Sequence, residues 1–269
     1  MPRRIARFAL AAPLLLGLLG FVASACGGSA TGSAIATATT TQAARTATVV
    51  VLPATGIVDS VLAGYLAEGI AGASRDGAAA VVIRLNTPGG SLDATSRIVS
   101  TLLEAPLPVS VWVAPSGARA ASAGTFITLA ANVAVMAPGT NIGAATPVGG
   151  QGEDIPGALG QKVLNDSVAS IRSIAETRGR NADWAEQAVR NAKSSPASEA
   201  LAQHAIDGTA DTIESVIAFV DGRTTTVRGQ PTTIHTAMSL KVLASKPRAT
   251  QRRSAIHAAT RTPTASSRP

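Results

Sequence analysis

Apolar positions along this chain fall into two alternating patterns. Short unbroken runs at residues 48–52, 78–85, 108–113 and 133–136, rich in Val, Ile and Leu, read as buried strands, the first ending at Pro53. Between them apolar residues recur at helical spacing. Val58, Val61, Leu62, Tyr65, Leu66 and Ile70 predict a helix over 58–73, and a second is predicted over 92–103. Asn86-Thr-Pro-Gly-Gly90 reads as a turn after the second strand, Pro115-Ser-Gly117 breaks the chain, and a helix of small residues is predicted from about Ala120. The fourth strand ends at Pro138-Gly139, residues 149–157 read as a mobile loop, and helices are predicted at about 159–178, 182–192, 197–204 and 212–220. Strands that are apolar throughout and alternate with helices predict an α/β fold with a mostly parallel sheet covered on both faces.

The two ends depart from this pattern. Arg3, Arg4 and Arg7 precede an apolar run over 8–22, and Ala23-Ser-Ala25-Cys26 follows. A basic start, a short apolar stretch and small residues describe an export signal over 1–25, and the run is shorter than the roughly 20 residues of a membrane span. Cleavage after Ala25 fits an Ala-x-Ala site and would also expose Cys26 as a lipid-acceptor N-terminus; both outcomes stay open. Residues 26–46 are rich in Thr, Ala and Ser and read as a linker, which leaves 47–237 for one folded domain. Residues 238–269 are Arg-, Ser-, Thr- and Pro-rich with no apolar period and are expected to be disordered.

Composition removes several function classes. The formal charge is +7, yet the seven Lys and Arg from Lys241 onward face no acid, and the rest of the chain carries 16 basic and 16 acidic residues. The folded part is therefore not a nucleic-acid binder by charge. A single cysteine rules out an intramolecular disulfide and a cysteine-based metal site, and with three scattered histidines no metal or cofactor is expected.

Three features could carry chemistry. Pro88-Gly89-Gly90 directly follows a buried strand, and glycines there leave backbone N–H groups open to an incoming oxyanion. Ser122 lies in Gly117-Ala-Arg-Ala-Ala-Ser-Ala-Gly-Thr125, close to a helix start where developing negative charge is favoured, with the Ala123 N–H beside it. A serine nucleophile needs a base. Ser122 with His204 and Asp207 is one set. Lysine is the other: 19 of the 23 basic residues are Arg, which stays protonated, and only Lys162 and Lys193 fall within the expected domain. Each feature also has a plain structural reading: a turn, a close-packed Ala/Gly helix and a surface lysine.

Taken in order, the segments Leu85-Asn-Thr-Pro-Gly-Gly90, 117–125, Met136-Ala-Pro-Gly-Thr-Asn-Ile-Gly-Ala144, Gly179-Arg-Asn-Ala182, Ser198-Glu-Ala-Leu201 and Ala205-Ile-Asp207 resemble the NfeD family of membrane-associated, ClpP-class serine proteases, over residues from about 47 to 236. An archaeal member of that family cleaves a stomatin partner. The resemblance implies a ClpP/crotonase-like fold of repeated ββα units with C-terminal helices. It further implies Ser122 as nucleophile, Lys162 as base, and an oxyanion hole from Gly89, Gly90 and Ala123. ClpP itself uses a histidine after the strand that follows its serine; here Ile142-Gly-Ala-Ala-Thr-Pro147 has none, which fits a Ser–Lys dyad. Implied partners are hydrophobic peptide segments or a stomatin-like membrane protein, and a homodimer or larger homo-oligomer. Longer members continue into membrane spans and a small β-barrel. Here the likeness fades near His235-Thr236, and the tail reads as a truncation or frame shift. Three alternatives remain: an inactive scaffold or lipoprotein holding a stomatin-like partner, a signal-peptide-peptidase-like enzyme, and crotonase-type acyl-CoA chemistry.

Overall fold

The computed structural model describes residues 48–236 and 239–242. The expected export signal, Cys26, the linker and the tail past residue 242 lie outside them. In chain order the first half holds β1 (Thr48–Thr55), α1 (Ser60–Arg75), β2 (Ala80–Asn86), α2 (Leu92–Leu103), β3 (Val109–Val113), β4 (Arg119–Ala121), α3 (Ala123–Ala130), β5 (Val133–Met136) and β6 (Asn141–Gly143). The second half holds α4 (Gly157–Thr177), α5 (Ala182–Arg190), β7 (Ser194–Pro196), α6 (Ala197–Ala202), β8 (Gly208–Thr209), α7 (Ile213–Val220), β9 (Thr224–Val227), β10 (Gln230–Thr233) and β11 (Ser239–Val242).

Six strands form one parallel sheet in the order β11-β1-β2-β3-β5-β8. Successive residues of each strand enter opposite cores, which is why the strands read as unbroken apolar runs. Val50, Leu52, Val81, Ile83, Val111 and Met136 pack with α1 to α5 on one face. Val49, Val51, Val82, Trp112 and Val135 pack with Val216, Ile217 and Val220 of α7 on the other. Leu52, Leu62, Leu66, Ile83, Leu85, Ile98 and Leu102 are fully buried, each contributing about 1.5–3 kcal/mol over an exposed position. Trp112 donates its indole N–H to the Ala210 carbonyl at 3.0 Å, which ties α7's lead-in to the sheet.

Several boundaries differ from the sequence reading, each for a local reason. β1 runs through Pro53 rather than ending there, because its pairing with β2 continues to Thr55, with Pro53 opposite Arg84. Among the described residues β1 has no partner on its other side beyond Val51, where the missing proline N–H costs no ladder bond. The helix expected from about Ala120 starts at Ala123; Ala120 is instead a strand residue, opposite Ile142 of β6 and bridged to Thr87. Residues 239–242, placed in the disordered tail by composition, form β11, and Lys241 Nζ donates to Asp76 Oδ2 at 2.9 Å. The second, small sheet β4-β6-β7 and the hairpin β9–β10 carry too few apolar residues to be visible as a pattern.

Candidate active site

Ser122 sits where β4 ends and α3 begins, as the residue capping α3, with φ 51° and ψ −114°. A non-glycine residue with positive φ is held there by its surroundings at a cost of about 1–3 kcal/mol, and such strain concentrates at functional positions. The surroundings are specific. The Ser122 N–H donates to the Gly143 carbonyl at 3.0 Å, and β4 is pinned on its other side by Thr87 N–H to Arg119 O and Ala121 N–H to Thr87 O. Buried Thr125 donates its hydroxyl to the Ala120 and Gly143 carbonyls, both at 3.0 Å, and so locks the first turn of α3 onto both strands. Thr125→Val keeps the shape and removes the donor. It is expected to lower the unfolding free energy by about 1–3 kcal/mol in urea titrations.

The Pro-Gly-Gly turn lies against the serine. A Cβ on Gly89 would stand 2.7 Å from Ser122 Cβ and 3.2 Å from its Oγ, so only glycine lets the two segments touch. A Cβ on Gly90 would stand 2.0 Å from the Val58 carbonyl oxygen, because this residue is bridged to Val58. The Gly89 N–H is committed to Thr87 Oγ1 at 3.0 Å. Among the described residues the Gly90 N–H has no partner, and the Ala123 N–H, first in α3, has none within its helix. Of the three expected oxyanion groups, Gly90 and Ala123 thus keep open amides, while Gly89 contributes its missing side chain. Ser91, the next residue, caps α2 through the Ala94 N–H at 3.2 Å and fixes the exit of the turn.

Lys162 lies in the second turn of α4, exposed. It lines a groove of about 430 Å³ with Leu92 and Val99 of α2, Phe126 of α3, and Val163 and Asp166. Leu92 follows Gly90 by two positions and Phe126 follows Ser122 by four, so two of its lining residues stand close in sequence to the turn and the serine, although neither Gly90 nor Ser122 lines it. Lys162 Nζ and Ser122 Oγ make no hydrogen bond to each other here, a common state of catalytic pairs without substrate. The histidine set is not assembled. Asp207 accepts the Arg180 guanidinium and the Ala134 N–H, at the N-terminal end of β5, whereas Ser122 lies at the C-terminal end of the sheet. His204 is exposed, and Lys193 donates to Gln203 Oε1 at 2.7 Å.

The segment 178–181 has a role that its sequence does not announce. Arg178 Nε donates to Ala130 O at 2.8 Å, and Arg180 donates to Leu129 O and Ala131 O at 2.6 and 2.9 Å. Two guanidinium groups therefore close the carbonyl end of the helix whose other end carries Ser122. Burial, and then the neighbouring Arg180 charge, pull the Arg178 pKa down to about 10. Asn181 caps α5 through the Trp184 N–H at 2.9 Å.

The family model for the NfeD1b N-terminal domain matches residues 48–225. The chain belongs to that family. This NfeD1b-family chain is 38% identical over 158 residues to the membrane-bound protease PH1510 of Pyrococcus horikoshii, covering 58% of this chain and 35% of that one. It is 33% identical over 138 residues to the membrane protein NfeD1b of Bacillus subtilis, covering 51% and 30%. The matched region thus spans about a third of the length of these relatives. Among solved structures, the 1510-N membrane-bound stomatin-specific protease in a serine-to-alanine form superposes with TM-score 0.68 at 34% identity, covering 73% of this chain and 97% of that one. A lysine-to-alanine form of it in complex with a substrate peptide gives 0.71 at 32%, covering 79% and 98%. ClpP1 from Listeria monocytogenes, at TM-score 0.51 and 18% identity, covering 61% and 92%, shares the fold. The NfeD1b-family chain is therefore ClpP-like in architecture.

Proposed function

We propose that this chain is a serine endopeptidase that cleaves apolar peptide segments with Ser122 as nucleophile and Lys162 as base. The observation that carries the reading is Ser122 held at positive φ, flanked by the open amides of Gly90 and Ala123. The relatives add weight. The Pyrococcus horikoshii relative is named as a protease, and the serine and lysine altered in its two mutant forms are separated by the same interval as Ser122 and Lys162, to within one residue.

In the proposed reaction the neutral Lys162 amine takes the Ser122 proton as Oγ attacks the peptide carbonyl. The Gly90 and Ala123 N–H groups receive the oxyanion. Lys162 then returns the proton to the leaving amine, and water, deprotonated by the same lysine, hydrolyses the acyl-enzyme. This requires the Lys162 side chain to swing across the groove toward Ser122 when substrate fills it. The substrate class proposed is the apolar segment of a stomatin-like membrane protein, with the enzyme exported through residues 1–25, held at the membrane through Cys26 and assembled as a homo-oligomer. Among the described residues, no helix is long and apolar enough to cross a membrane.

The missing Ser122–Lys162 hydrogen bond is the one observation that favours the scaffold reading. The test incubates the full chain with peptides from apolar stomatin segments in water enriched in oxygen-18, with mass spectrometry of the products. Cleavage with one heavy oxygen in each new carboxylate is expected. Folded protein that leaves every peptide intact would establish the scaffold reading instead.

A further inference from the structure

A second cavity, of about 370 Å³, opens at the far end of α3 from Ser122. Its walls include Asn132, Arg178, Asp207, Arg223, Thr225 and Thr226. The charges around it do not balance. Among the described residues Arg178 reaches carbonyls alone, those of Ala130, Leu102 and Thr226, and has no carboxylate partner. These bonds use three of its five N–H groups. Arg223 donates Nε to Phe219 O and lies 3.7 Å over the Phe219 ring, leaving its two terminal nitrogens without a partner among the described residues. The carboxylate in the wall, Asp207, is already matched: it holds Arg180 and the Ala134 N–H. Two guanidinium groups thus line a polar cavity whose one carboxylate is already paired with Arg180. Burial first, and then the neighbouring Arg180 charge, hold the Arg178 pKa down to about 10.

We propose that this cavity binds a small oxyanion, a phosphate or carboxylate group, bridged between the free N–H groups of Arg178 and the terminal nitrogens of Arg223, with the threonine hydroxyls of β9 completing its hydrogen bonds. Guanidinium forks match such groups in shape and charge, and partial burial limits screening by salt. The site stands apart from the Ser122 groove, and its occupancy does not depend on peptidase activity.

Calorimetric titration of the full chain with inorganic phosphate, and separately with citrate, at ionic strength held constant by sodium chloride, tests it. A saturable heat is expected for at least one anion, and the tighter of the two tells phosphate from carboxylate chemistry. Arg223→Gln, at an exposed position just before β9, should fold normally and weaken binding at least about fivefold through loss of a charge-assisted pair. Arg178→Lys should weaken it as well, because an ammonium lacks the fork, while Lys193→Gln should bind as the unaltered protein does. No saturable heat with either anion would overturn the proposal. So would binding unchanged by Arg223→Gln, which would locate the anions on the basic tail.

Discussion

Ser122→Ala is expected to lower kcat for peptide hydrolysis by about 10⁴-fold or more, with KM little changed. The hydroxyl is the only atom removed that forms a bond in the reaction, and the groove that would hold substrate is untouched. Lys162→Ala should fall to a similar level, and the double variant no lower than either single one, because a nucleophile and its base act as a unit. Ser122→Gly separates chemistry from strain. With φ at 51°, glycine relieves a conformation costing about 1–3 kcal/mol, so this variant should be inactive yet unfold at higher urea concentration. Single-turnover assays beside urea titrations read both quantities. A Lys162→Ala variant that keeps most of its activity would remove lysine from the mechanism. An inactive lysine variant that also melts early would report a structural role only.

What the sequence revealed of this site depended on where the information is stored. The parallel sheet was legible because both faces of β1, β2 and β3 are buried, which writes an unbroken apolar run into the chain. Ser122 and the two glycines stood out by their small-residue context, which suits a turn and a close-packed helix equally well, and it is the resemblance that gives them roles. What holds Ser122 in place was not. Thr87, Thr125 and Gly143 act through hydrogen bonds and close approach between segments remote in sequence, and each is an ordinary residue in its local context. The start of α3 was placed too early for the same reason: Ala120 and Ala121 favour helix, but pairing with Thr87 and β6 overrides that preference. Lys162 is singled out by the resemblance alone, and the fold contributes the groove it shares with Phe126.

The same distinction governs the largest expected loss of stability away from the reacting atoms. Arg180 is a buried arginine with its side chain 2% exposed, closing the carbonyls of Leu129 and Ala131 and pairing with Asp207. Arg180→Ala strips all three partners at once and leaves a carboxylate without its cation, so unfolding free energy should drop by about 3–5 kcal/mol. Asp207→Asn should cost less, since an amide oxygen can still accept the Ala134 N–H. The double variant Arg180→Ala with Asp207→Asn should cost clearly less than the two single changes added together, because it leaves neither charge stranded. Urea titration of the three variants measures the coupling. α3 follows directly on Ser122 and ends under this guanidinium, so loosening the far cap should also lower peptidase activity while Ser122, Lys162 and the Pro-Gly-Gly turn are unchanged. If Arg180→Ala unfolds within about 1 kcal/mol of the unaltered protein, the clamp does not position the helix, and the strained serine is held by β4, β6 and Thr125 alone.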